Sequence, residues 1–95
     1  MPSATDGLTP ALKKQLDDIR GSIDQLDDQI RELFLARLQL VQDIADFKRQ
    51  NDLQILQAQR EREILARLTA DLTFEQAAQV TALYCEIFDI SRTAQ

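Results

Sequence analysis

The sequence predicts an all-α fold of three helices, one long and two short, with a second copy of the chain expected to cover the part of the long helix that the short ones cannot reach. Three observations predict it. The 95 residues are 44% apolar and 28% charged with only two glycines and two prolines, a balance suited to folded helices rather than a disordered chain. Apolar residues recur at alternating spacings of four and three from Leu12 to Phe47, the signature of a helical seam. No stretch alternates polar and apolar residues as a half-buried strand would.

The first helix opens at "LTPALKK", where Thr9 supplies an N-cap oxygen and Pro10 occupies the first helical position without losing a needed donor. Nothing stops it before "RQND", at Arg49 to Asp52. Its seam is Leu12, Leu16, Ile19, Ile23, Leu26, Ile30, Leu33, Arg37, Leu40, Ile44 and Phe47, and ten of these eleven positions are apolar, the exception being Arg37. Roughly 40 residues rising about 1.5 Å each make a rod of about 60 Å, about twice the diameter of a compact domain of this size. The rest of the chain is too short to sheathe it. Residues 1–8 are expected to be a flexible N-terminus, and residues 9–95 a single helical domain.

A second apolar pattern, Ile55, Leu56, Ile64, Leu65 and Leu68, surrounds "QREREI" and predicts a shorter helix from about Gln57 to Ala70. The third begins at Thr73, with Gln76 three residues on completing a capping box. Its stripe of Ala77, Val80, Tyr84 and Ile87 continues at the same spacing to Ser91 and Gln95, so it turns polar towards its C-terminal end.

The charge balance narrows the function classes. A net charge of −5 argues against a nucleic-acid partner, which requires a concentrated basic face. The opening "MPSATDGLTP" has neither a basic start nor an apolar run, and no segment approaches membrane-spanning length; a cytoplasmic protein with no membrane partner is expected. Cys85 is the single cysteine and there is no histidine, which leaves no pair for a disulfide and points away from a metal site. Cys85 reads as a small core or boundary residue on a helix. An enzyme built from these residues should run chemistry that needs no proton shuttle near neutral pH.

Arg37 on the seam has two readings that spacing alone leaves balanced. It is either a register-fixing or snorkelling side chain in a helix pair, or a ligand-binding cation. Lys48, eleven residues on, returns to within about 20° of the same direction roughly 16 Å along the axis, and two such cations suit a small dianion. Arg20 lies about 25 Å before Arg37 on a straight helix, so it reaches a shared ligand only from the other chain of a symmetric dimer. Arg60 and Glu61 read by themselves as part of a solvated, charged face, and Ser91 and Gln95 as polar residues of a chain end.

Taken together and in order, these residues resemble the all-helical chorismate mutase family. The resemblance rests on "IRGSIDQLDDQIRELFLARLQLVQDIADFK", with Arg20, Ile23-Asp24, Leu26-Asp27, Ile30, Leu33, Arg37 and Lys48; on "ILQAQREREIL", with Arg60 and Glu61; and on "EIFDISRTAQ", with Ser91 and Gln95. It covers about residues 12–95. It implies an intertwined homodimer that converts chorismate to prephenate by a Claisen rearrangement in phenylalanine and tyrosine biosynthesis, with no cofactor and no covalent intermediate. Lys48, Arg37 and Gln95 would be the catalytic residues. The resemblance assigns Arg37 to one substrate carboxylate and Arg20 of the partner subunit to the other. Lys48 would bridge a carboxylate and the ether oxygen, Gln95 would donate to that oxygen, Ser91 would contact a carboxylate, Glu61 would accept from the ring hydroxyl, and Arg60 would orient the carboxylates.

One position departs from the family pattern. Gln57 stands three residues before Arg60, where family members often carry an aspartate near the ring hydroxyl. An amide still bonds a hydroxyl but removes a negative charge, which leaves two related reactions on the same fold as alternatives: pyruvate elimination from isochorismate, and rearrangement of an amino analogue of chorismate. A non-catalytic helical dimer is the alternative from outside enzymology. Pyruvate without prephenate would mark the lyase. Failure to bind any such dianion, together with a gain in stability from Arg37→Leu, would mark the structural dimer.

Overall fold

The computed structural model describes residues 7–54 and 57–94. Three helices follow one another, α1 (Pro10–Asn51), α2 (Gln57–Thr69) and α3 (Phe74–Ala94), and there is no strand among the described residues. The fold is all-α, as the seam and the scarcity of strand signals predict, and each helix lies within a residue or two of its expected span. The apolar pair Ile55 and Leu56 lies outside the described residues, as do residues 1–6 of the N-terminal segment 1–8 expected to be flexible. No helix among the described residues is long and apolar enough to cross a membrane.

The helix ends show why these residues start and stop helices. Thr9 caps α1, its Oγ1 accepting from Leu12 N at 3.2 Å and its carbonyl accepting from Lys13 N at 2.9 Å. At the other end Asp52 turns left-handed, with φ of 51°, and Leu53 N donates back to Lys48 O at 3.0 Å, closing the helix as a Schellman turn. The box opening α3 is reciprocal: Thr73 Oγ1 accepts from Gln76 N at 3.1 Å and Gln76 Oε1 accepts from Thr73 N at 3.2 Å.

The chain divides between Ala36 and Arg37 into two units. In the first, the described chain is helix from Pro10 onward, and its seam residues Leu12, Ile19, Ile23, Leu26, Ile30 and Leu33 are all exposed while Leu16 is half-buried. In the second, α2 packs against α3, and Ala45 of α1, Ile64 of α2 and Phe88 of α3 form the buried apolar core. The stripe of α1 that turns inward here is Leu38, Val41, Ala45 and Lys48, half-buried or buried, while the heptad positions Leu40, Ile44 and Phe47 remain exposed. The heptad seam and the packing face of this stretch are therefore neighbouring stripes. Cys85 is exposed on α3, which corrects its reading as a core or boundary residue: it lies between the half-buried Tyr84 and the exposed Glu86, off the inward stripe.

Candidate functional site

The second unit contains a cavity of about 180 Å³ lined by one face from each helix. Helical spacing selects the lining: Arg37, Leu40, Val41 and Ile44 on α1, Gln57, Arg60, Glu61 and Ile64 on α2, and Phe88, Ser91 and Arg92 on α3. Within each helix the first lining residue is followed by others three, four or seven positions on, so a single side of the helix supplies them. The floor is apolar and carries two of the three core residues, Ile64 and Phe88.

Arg37 is held from two sides. Its Nη1 donates to Ser91 Oγ at 3.0 Å, and its guanidinium carbon lies 5.6 Å from the Phe88 ring centre and 5.9 Å from that of Tyr84, distances at which a ring face attracts a cation. The two rings meet edge to face at 5.7 Å and 67°. Ser91 is only 5% exposed, and its hydroxyl donates to Ile87 O at 2.7 Å while accepting from Arg37. The serine thus spends its one proton on its own helix and presents its lone pairs to the arginine. Arg37 keeps other N–H groups, since a guanidinium has five.

Glu61 makes the second polar cluster. Arg92 Nη1 reaches both of its carboxylate oxygens, at 2.6 and 2.5 Å, and Arg92 Nη2 reaches Asp89 Oδ1 at 2.5 Å. The Glu61 side chain is 20% exposed and that of Arg92 47%. Hydrogen bonds from Arg92 to Glu61 first, and then to Asp89, hold the guanidinium above the ordinary arginine pKa, so it stays charged throughout the pH range of a folded protein. Arg60, exposed beside it, lies 3.9 Å from Glu63, the loose pairing of a solvated face.

Five of the sequence-predicted site residues, Arg37, Gln57, Arg60, Glu61 and Ser91, line this one cavity. Lys48 is half-buried on the same helix but is not among the lining residues, and its ammonium group has no hydrogen-bond or ion-pair partner among the described residues. Arg20 is exposed in the first unit. Gln95 lies outside the described residues. Six lining residues were not predicted for the site: Leu40, Val41, Ile44 and Ile64 of the apolar stripes, and Phe88 and Arg92. Phe88 could have been found from the apolar run "EIFDI", whereas Arg92 carries no local sign, because its only near neighbour of opposite charge, Asp89, reads as an ordinary pair on a solvated turn. Its partnership with Glu61 exists only after α2 and α3 have packed.

No group of three or more cysteine, histidine or acidic side chains is placed to hold a metal ion among the described residues. What the cavity offers is three guanidinium groups, one carboxylate, a hydroxyl and an amide over an apolar floor, a donor-rich lining suited to a small polyanion with an apolar body.

The chain is an all-helical protein with a polar-rimmed cavity, and comparison with known families makes the class specific. Residues 19–95 match the family chorismate mutase type II, which takes in α1 from Ile19 onward, all of α2 and α3 and every residue of the cavity; the chain belongs to that family. No curated protein and no solved structure matches it.

Proposed function

We propose that this chain is a chorismate mutase, acting as a homodimer, that rearranges chorismate to prephenate in the route to phenylalanine and tyrosine. The observation that carries the reading is the Arg37 guanidinium, anchored by Ser91 and flanked by Phe88 and Tyr84 at a cavity of otherwise apolar floor. It is suited to a carboxylate in a partly dried setting, and the family membership of the chain supports a dicarboxylate as the ligand.

The reaction is pericyclic: the ether C–O bond breaks as a C–C bond forms within one molecule. The protein's work is to hold the compact, chair-like conformer and to meet the negative charge that grows on the ether oxygen. Arg37 takes one carboxylate through its remaining donors, bidentately where geometry allows. Arg60, Ser91 and Glu61 orient the ring substituents, with Glu61 accepting from the ring hydroxyl and Gln57 replacing an acid beside it. Lys48 bridges a carboxylate and the ether oxygen, and Gln95 donates to the same oxygen.

A cavity of about 180 Å³ falls below the about 300–1,000 Å³ of small-molecule sites, which supports a wall supplied by another chain. The exposed apolar seam of residues 12–33 supports the same conclusion, since a stripe of that length on a helix marks an interaction face. In the proposed dimer it pairs with its copy, and Arg20 of the partner subunit binds the second carboxylate. Residues 9–95 then work as one domain in the cytoplasm.

The direct test is turnover. Purified protein is expected to consume chorismate and yield prephenate, followed by loss of chorismate absorbance and by acid conversion of prephenate to phenylpyruvate. Lys48→Ala is expected to lower kcat/KM by about 10²–10³, the scale of removing one donor aimed at developing charge, with the dimer intact by light scattering. Pyruvate without prephenate, from isochorismate, would replace the mutase by the lyase on the same fold.

A further inference from the structure

Arg92 lies outside the roles assigned above, yet it lines the cavity and holds both oxygens of Glu61. We infer that Arg92 is a specificity-determining positioning residue, which neutralises Glu61 so that a hydroxyl-accepting carboxylate can stand in a pocket that takes a dianion. The inference rests on the mutase reading and extends it to a residue that acts through another.

The charges of the cavity lining lead to it. The charged lining is Arg37, Arg60 and Arg92 against Glu61, a net of two positive charges, which matches a dicarboxylate. Gln57 adds an amide dipole and no charge. Removing Arg92 halves that net charge and leaves the Glu61 carboxylate, 20% exposed, facing the incoming anion with no partner of opposite sign. Like charges that close disfavour binding. A neutral side chain at position 61 would avoid the repulsion but would lose the strongest acceptor available for a hydroxyl.

Arg92 is also braced for this task. Asp89, one turn earlier on α3, bonds its Nη2 at 2.5 Å, which fixes the guanidinium plane while Nη1 spans the carboxylate of α2. Rotation of Glu61 towards solvent is opposed by two short hydrogen bonds from one nitrogen. The carboxylate is thereby both oriented and screened, and its lone pairs that do not face Arg92 remain to accept from a ligand.

A double-mutant cycle tests this with chorismate as the ligand. Arg92→Met keeps most of the stem and removes the charge; because Arg92 is half exposed, the helix should persist, and circular dichroism checks that it does. In the otherwise unaltered protein, Arg92→Met is expected to raise KM about tenfold while kcat stays within about twofold, an effect of binding rather than of the chemical step. In the Glu61→Gln background the same substitution is expected to change KM by less than about twofold, because the charge to be neutralised is gone. Arg92→Lys should recover most of the lost affinity. An unchanged KM on Arg92→Met overturns the inference, and so does an equal rise in both backgrounds, which would make Arg92 a direct ligand contact. Unaltered protein that does not consume chorismate overturns the mutase reading instead, and shows in the control alone.

Discussion

Phe88 on α3 is 4% exposed and Leu33 on α1 is 70% exposed, although both are large apolar side chains on helical stripes. The contrast runs through the two units of the chain. In the second, Ala45, Ile64 and Phe88 find cover on helices of the same unit. In the first, six of the seven seam residues from Leu12 to Leu33 are exposed, because one helix offers them no opposing surface. At about 25 cal/mol per Å² of apolar surface removed from water, an unpaired seam forgoes most of the stabilisation its pattern can supply. The same periodicity therefore has two outcomes: a stripe that meets other helices of its unit is covered, and one that meets none stays exposed on the single chain.

The largest test of that contrast uses two inactive variants. If the first unit pairs with its copy and lends Arg20 across the interface, Arg20→Ala and Arg37→Ala should each be nearly inactive alone. Mixed after unfolding and refolding together, they should regain about a quarter of the unaltered activity: with random pairing half of the dimers are mixed, and in those one of two symmetric sites has both arginines intact. Recovery of nothing would place Arg20 and Arg37 in the same protomer's site, or Arg20 in none. Chorismate turnover before and after co-refolding reads the outcome.

A paired truncation sharpens the comparison at the level of stability. Phe88→Ala removes a buried ring that also contacts Tyr84 and Arg37, and should cost about 3–5 kcal/mol. Leu33→Ala should cost almost nothing if the single chain is the working state, and about 2–5 kcal/mol if a second copy buries it. Urea unfolding of both variants at several protein concentrations separates the cases, since the dimer's stability alone depends on concentration.

Much of this was legible in the sequence. Thr9 and Pro10 marked the start of α1, Thr73 with Gln76 the start of α3, and spacing alone put Ser91 on the stripe of Tyr84 and Ile87; all are local signals, and local chemistry decides them. Spacing leaves Arg37 between register and ligand, and what the structure adds is its bond to Ser91, 54 residues away. The packing face of α1 was harder. The seam runs through Leu40, Ile44 and Phe47, but the inward stripe holds Ala45, a residue too small and too common to stand out as core. Arg92 was not legible, because the carboxylate that gives it meaning is 31 residues distant on another helix. Patterns within a helix report its faces, whereas pairings between helices appear only when side chains meet.

The smallest expected effect separates the positioning of Ser91 from the stability of the helix that carries it. Thr73→Ala deletes the Oγ1 that accepts from Gln76 N at 3.1 Å and leaves one first-turn donor of α3 to water, a cost of about 1 kcal/mol and about 4–8 °C in Tm for a domain of this size. Thr73 does not line the cavity, and Ser91 sits five turns further along a helix that is clamped downstream by the Arg37–Ser91 and Arg92–Glu61 bonds. Fraying at one end should not propagate past those clamps, so KM and kcat are expected to stay within about twofold while the melting temperature falls. A rise in KM in step with the fall in Tm would mean that α3 shifts as a body, and that the cavity owes its shape to the helix cap as much as to its own ion pairs.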